Sequence, residues 1–315
     1  MSNNSMPKPI GALGGNKLLH RIASSWQIYL FLLPAILYFG IFHYGPMYGI
    51  QIAFKNFTAL RGIMGSPWAG LQHFERLFLS HQFINIFQNT VLLSLYNLLF
   101  GFPIPILFAI LLNQITRAKL RKTIQTISFA PFFVSTVVVV AIMLVFTYLQ
   151  TGVINIIIDS LGGNRIQFMG RAEWFRPLYI ISEVWQRTGW DSIIYIAALV
   201  SISPELHEAA MMDGASKLRR IWHIDIPGIL PTVVVMFILR TGQRMSLGFE
   251  KAFLMQTPLN LETSEIIATY VFKMGVRQGQ FSFAAAAGLF NSLINLALIL
   301  LVNFICKKLS GKGLW

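Results

Sequence analysis

The sequence predicts an all-α membrane protein with six transmembrane helices. Three observations carry that expectation. First, 55% of the 315 residues are hydrophobic and only 12% are charged, about half the charged share of a soluble domain, and the mean hydropathy is +0.62. Second, six apolar segments approach or exceed the roughly 20 residues that cross a hydrocarbon core of about 30 Å. In lipid such segments must satisfy their own backbone, which a helix does. Third, Lys and Arg crowd into alternate loops, with 13 on one side of the six segments and 9, in longer segments, on the other.

The elements follow in chain order. Residues 1–25 are polar, with Pro7, Pro9 and a Gly-rich run from Gly11 to Gly15, and read as a cytosolic tail. Residues 26–82 hold the first span, near 27–54, and its outer loop. This span is too long for the apolar run of a signal peptide and no small-residue cleavage site follows, so it is expected to stay. Residues 83–306 form a core of five further helices, near 83–112, 125–149, 177–200, 228–248 and 283–306. The outer loops, roughly 55–82, 150–176 and 249–282, carry Gly, Pro, Trp and other aromatics and are expected to form short interfacial helices and turns. The side dense in Lys and Arg faces the cytoplasm, and the compact Arg117, Lys119, Arg121, Lys122 run is its strongest mark. Both termini, including 307–315, are therefore expected in the cytoplasm. The formal net charge of +13 is assigned to membrane topology rather than to nucleic acid. The lone Cys306 allows no internal disulfide and no cysteine-based metal site.

The stretch 203–226 breaks the apolar tone. Ser203-Pro204-Glu205 is a helix start: a capping residue, proline at the first helical position, and an acid near the positive end of the dipole. Glu208, Ala209, Ala210 and Met211 continue that helix, and Asp213, Gly214 and Ala215 close it, with Gly214 suited to the left-handed residue after a helix. Ser216 is placed to cap a second short helix, Lys217 to His223, which is expected to stop before Pro227 because proline disfavours helix in its predecessor. Small residues and adaptable methionines among charges suit a surface that a partner approaches closely.

Glu208-Ala209-Ala210, three residues, Gly214, nine residues, then Ile224-Asp225-Ile226-Pro227 resembles the EAA signature of importer-type ABC permeases. It departs only in Ile226, where the family form has Leu. From about Trp26 onwards the chain also resembles the binding-protein-dependent sugar permeases, in their polysaccharide-permease branch. PMYGIQIAFKNF (46–57), GSPWAGLQHF (65–74), GWDSIIYIAAL (189–199), GFEKAFL (248–254), QGQFSFAAAAGLFNSLIN (278–295) and the terminal GLW carry that likeness. The resemblance implies the type I ABC importer permease fold in a bacterial cell membrane. It makes 203–226 the coupling-helix loop, with Glu208, Ala209, Ala210, Met211, Asp213, Gly214 and Ala215 docking into a groove on a cytoplasmic ATPase. It also implies two ATPase subunits, a second and related permease in a heterodimer, and an extracytoplasmic solute-binding protein. No G-x-x-x-x-G-K-[ST] phosphate loop occurs, so ATP and Mg are expected on the partner ATPases, with no cofactor bound by this chain and no catalysis by it.

Charges inside spans cost roughly 2.5–3.5 kcal/mol each on insertion scales, so they flag function. Glu183, Arg187 and Asp191 share one face of the fourth span, with Trp185 and Trp190 beside them; Arg240 and Arg244 share a face of the fifth. In one reading the acids neutralise Arg187 and Arg240 and lock the two helices together. In the other, Arg187, Trp190, Asp191, Arg240, Arg244, Asn89 and Asn291 line a polar path for the solute. The spacing leaves both open, and the amides also serve as bonds between helices. Arg244, where the branch usually has an apolar residue, suits bidentate carboxylate recognition and suggests an acidic, uronate-containing oligosaccharide as cargo. The competing functions are an ion-coupled secondary transporter, which would need a coupling-ion site and often an inverted repeat, and a membrane enzyme, which would need a motif such as HExxH or a nucleophile elbow. The sequence shows none of these.

Overall fold

A computed structural model describes residues 24–244 and 248–310, with side-chain surroundings for 24–241 and 248–308. Most of the expected tail, Lys312, the terminal GLW and the Arg244 side chain lie outside those residues. Among the described residues the structure is helical apart from turns and one isolated antiparallel bridge, Lys55 to Trp68.

Four helices are each long and apolar enough to cross a membrane: α1 (Trp26–Phe54), α3 (His81–Asn113), α9 (Lys217–Thr241) and α12 (Phe281–Lys308). A short α2 (Gln72–Leu79) precedes α3. Two bent helix pairs hold the remaining candidate spans. α4 (Ala118–Phe129) runs through a 3-10 turn to Phe133 and meets α5 (Thr136–Thr147) at 100°, and α7 (Ala172–Val200) meets α8 (Pro204–Met212) at 68°. Between α5 and α7 lies α6 (Val153–Ser160).

The break between α4 and α5 corrects the expectation of one helix near 125–149. Pro131 supplies no backbone N–H, and Ser135 adopts extended backbone and accepts from Val138 N at 3.4 Å as an N-cap. Each half is thereby finished separately. The 12 residues of α5 rise only about 18 Å, less than a hydrocarbon core.

Pro227 does not stop the second short helix, which is a further correction. Lys217–Arg220 passes through a π-helical turn, Ile221–Asp225, directly into the fifth span. The wider turn, with Ile226 N donating to Ile221 O, makes room where a proline ring would otherwise meet the carbonyl four residues back. The first span uses the same device: a π turn at Gly40–Tyr44 lies just ahead of Pro46.

The segment after residue 248 also differs from an interfacial loop. α10 (Phe249–Met255) and α11 (Ile267–Phe272) are folded into the body. Ala252, Met255 and Ile266 share a buried cluster with Leu93 of α3, Val140 and Met143 of α5, and Phe175, Tyr179 and Ile180 of α7. Buried non-helical backbone is tolerated only where the protein satisfies it. Asn260 does so, accepting from Thr257 N at 2.9 Å and donating to Met255 O at 3.0 Å and Met169 O at 3.2 Å, while Gln256 donates to Ser264 O at 2.9 Å.

α3 threads three buried layers. One lies around Phe83 and Ile86 with Tyr270 and Phe283, the next around Leu93, and the last around Ala109 and Ile110 with Tyr195, Leu199 and Ile229. The small-residue run of α12 is packed, with Ala284, Ala286 and Ala287 buried. In contrast, every residue of α1 from Trp26 to Tyr48 is exposed, a surface whose chemistry suits lipid or another membrane helix.

Candidate functional site

Two features stand out: a candidate docking element at one end of the bundle and a charged cavity inside it.

The docking element begins where α7 ends. Ser203 occupies the cap position and Pro204 the first turn, although the Ser203 hydroxyl makes no cap bond. The far end is a Schellman closure: Gly214 has φ +73°, its N–H reaches Met211 O at 3.0 Å, and Ala215 N–H reaches Ala210 O at 2.9 Å. Ser216 then accepts from Arg219 N as a cap. Glu208, Ala209, Met211, Asp213 and Gly214 are exposed and Ala210 and Ala215 half-buried. Met212, 88% exposed, is joined by exposed Leu206, Leu218 and Trp222. Sequence reasoning passed over these last three; large apolar residues set among charges, as in Lys217-Leu218-Arg219, were the available signal. Beneath this surface Asp225, fully buried, receives Gln114 Nε2 on Oδ2 at 3.1 Å and faces His207 Nε2 from Oδ1 at 3.3 Å. This carboxylate thus ties the end of α3 to the start of the fifth span and faces His207 of α8.

The cavity has a volume of about 760 Å³, within the range of small-molecule sites. A ladder of alternating charges lines it. Lys251 Nζ lies 2.9 Å from Glu183 Oε2, and Glu183 Oε1 lies 3.5 Å from Arg187 Nη1. Arg187 Nε lies 4.0 Å from Asp191 Oδ2, and Asp191 Oδ1 lies 2.6 Å from Arg240 Nη2. Three cations thus face two carboxylates. The end pairs are short and buried, whereas Arg187, its side chain 45% exposed, has the longest contacts. Glu250, exposed, lines the same cavity without joining the ladder. Phe132 and Phe133 supply an aromatic wall, and Trp190 stacks flat behind Phe132 at 4.3 Å between ring centres.

The structure therefore brings Arg187, Asp191 and Arg240 to one cavity, with Trp190 as a backing ring. Asn89 sits elsewhere: its amide donates to Glu262 O at 2.8 Å and Glu265 O at 3.2 Å and accepts from Arg176 at 2.7 Å, so its bonding is spent holding α3 to neighbouring backbone. Asn291, half-buried on α12, is not among the cavity-lining residues. Lys251, Gln186 and Asn97 line the cavity and were absent from the sequence reading. Lys251 had been assigned to an outer loop, although its apolar flanks, Phe249, Ala252 and Phe253, already hinted at burial.

The chain is similar to known membrane transport proteins. Residues 101–311 match the family described as "Binding-protein-dependent transport system inner membrane component". The chain is 43% identical over 299 residues to the polygalacturonan/rhamnogalacturonan transport system permease protein YteP of Bacillus subtilis, covering 95% of this chain and 93% of that one. It is 43% identical to protein LplB of the same organism over 288 residues, covering 91% of each. Among solved structures it is similar to a chain of a bacterial ABC transporter involved in the import of the acidic polysaccharide alginate, with TM-score 0.87, 40% identity and 93% and 99% of the two chains covered. A second structure of the alginate transporter, in complex with an alginate pentasaccharide-bound periplasmic protein, gives TM-score 0.88 at 39% identity, covering 95% of this chain and all of that one. The bent spans, the EAA closure at Gly214 and these matches together place the chain in the family of binding-protein-dependent transport system inner membrane components, as a multi-pass ABC importer permease.

Proposed function

We propose that this chain is the transmembrane, non-catalytic subunit of an ATP-driven importer that passes acidic oligosaccharides delivered by an extracytoplasmic binding protein. In this reading two ATPase subunits bind ATP and Mg and grip the docking element through Glu208 to Ala215, and a related second permease completes the path. Both termini and the docking element face the cytoplasm, as the dense Lys and Arg loops argue. ATP-driven closure of the ATPases moves α8, and the bundle alternates between outward and inward openings.

The charge ladder carries the proposal for cargo. Within the ladder three cations face two acids, and the half-exposed Arg187 has the longest contacts, while Glu250 on the same wall brings the whole lining to charge balance. An arginine fork binds a carboxylate with two parallel bonds. A relative named for polygalacturonan and a structural neighbour that imports an acidic polysaccharide support the same cargo class. Arg244 is proposed to add to this charge.

The test is uptake of trigalacturonate and of its neutral methyl ester by the complete transporter in proteoliposomes. Arg187→Gln is expected to lower trigalacturonate uptake by about 10- to 100-fold, the worth of a hydrogen bond to a charged group, with a much smaller fall for the ester. Equal falls for the two sugars would sink the charge-recognition reading, for Arg187 and for Arg244→Leu alike.

A further inference from the structure

Asn97 is 1% exposed, and neither its amide nitrogen nor its amide oxygen has a hydrogen-bond partner in the protein. Buried side-chain amides are nearly always bonded, and leaving both ends unmet is costly. Asn97 nonetheless lines the cavity that holds the ladder. The contrast with Asn89, two helical turns away on α3, is direct, because that amide is fully engaged by protein. Gln186, across the same cavity, is engaged as well, donating to Val134 O at 2.9 Å. Asn97 is thus an amide at the cavity wall whose bonding capacity the fold does not use.

We infer that Asn97 is a solute-binding residue that reads ring hydroxyls of the sugar while the ladder takes its carboxylate. The inference rests on the proposed function and adds a second chemistry to the same site. A primary amide offers two donors and an acceptor with two lone pairs. Neighbouring hydroxyls on a sugar ring present a donor and an acceptor side by side, so one amide can both give to and accept from such a pair. A charged group offers only one of these roles. A sugar hydroxyl supplies the bonds that the protein leaves unmade. A site that hydrogen-bonds a hydroxyl rejects analogues that lack it, because its own polar group is then left unmet.

The probes are trigalacturonate and its 2,3-di-O-acetyl derivative, which keeps the carboxylates and blocks the hydroxyls. Uptake is measured in proteoliposomes holding the complete transporter, with one binding protein for all variants. Its own selectivity then cancels when the free-to-acetylated uptake ratio is compared between wild type and variant. In wild type the ratio favours the free sugar. Asn97→Leu is expected to lower free-sugar uptake by about tenfold and to shrink the ratio by the same factor. The apparent melting temperature of Asn97→Leu does not fall, since an unmet polar group is removed. Asn97→Ser, which is smaller, repeats the ratio measurement if the leucine variant fails to assemble. A wild-type ratio near one, or a ratio unchanged in the assembled variants, overturns the inference. Absence of trigalacturonate uptake in wild type overturns the proposed function instead.

Discussion

The Asp191–Arg240 pair is where the structure makes its sharpest energetic demand. The two side chains are 8% and 11% exposed and meet at 2.6 Å between α7 and the fifth span. Replacing Asp191 by Leu leaves a buried guanidinium with no other acid in the ladder beside it, which should cost about 3–5 kcal/mol. Replacing Arg240 by Leu costs less, about 2–3 kcal/mol, because Arg187 at 4.0 Å still faces the remaining carboxylate. Replacing both puts two apolar side chains between two apolar helices, often a neutral change, and should cost about 0–2 kcal/mol. The interaction energy from the cycle is therefore large, about 3 kcal/mol or more. For a chain of this size about 2 °C accompanies each kcal/mol, so Asp191→Leu should lower the apparent melting temperature of the purified transporter by about 6–10 °C. The double variant should recover most of that loss. Its ladder, Lys251–Glu183–Arg187, still has one cation in excess, so the preference for trigalacturonate over its methyl ester should survive. A double variant as unstable as the sum of the two single ones would refute the locking role. Loss of the acidic preference in a well-folded double variant would refute the assignment of that preference to Arg187.

Two further outcomes follow from packing. A methyl group added at Gly189 would run into the Ser128 carbonyl where α4 crosses α7, so Gly189→Ala should destabilise by about 1–3 kcal/mol; an unchanged melting temperature would mean that the crossing is looser than the structure shows. Asp225→Asn keeps volume but removes the charge that Gln114 and His207 share, a loss of about 1–3 kcal/mol at the joint below α8. It should lower solute moved per ATP hydrolysed by the complete transporter, and an unchanged ratio would take Asp225 out of the transmission line.

The helix and turn geometry of 203–226 was legible in the sequence because its determinants are local. Proline at the first turn, glycine where φ must be positive and Ser216 at a cap each act within a few residues, and the structure finds them there. The i, i+4 spacing of Glu183, Arg187 and Asp191 was equally readable. Their partners were only half so: Arg240 was anticipated, but Lys251 was assigned to the far side of a loop. Pro227 misled because proline was weighed without the π turn that accommodates it. Asn89 and Asn97 look alike in sequence, both asparagines on one apolar helix, and only their neighbours distinguish them.

Sequence by itself determined that this chain lies in a membrane, that its spans are helical, and that residues 203–226 hold a short helix closed at Gly214 and a capped turn at Ser216. Hydropathy and capping are properties of single residues and their near neighbours, so no folding is needed to read them. Only the tertiary structure decided that the third span is broken at Ser135, that 249–277 folds into the body, and which charges meet. Lys251 and Glu183 are 68 residues apart and Arg176 and Asn89 are 87 apart. Such pairs form where burial makes an unpaired charge too costly, and that cost exists only once the helices have packed.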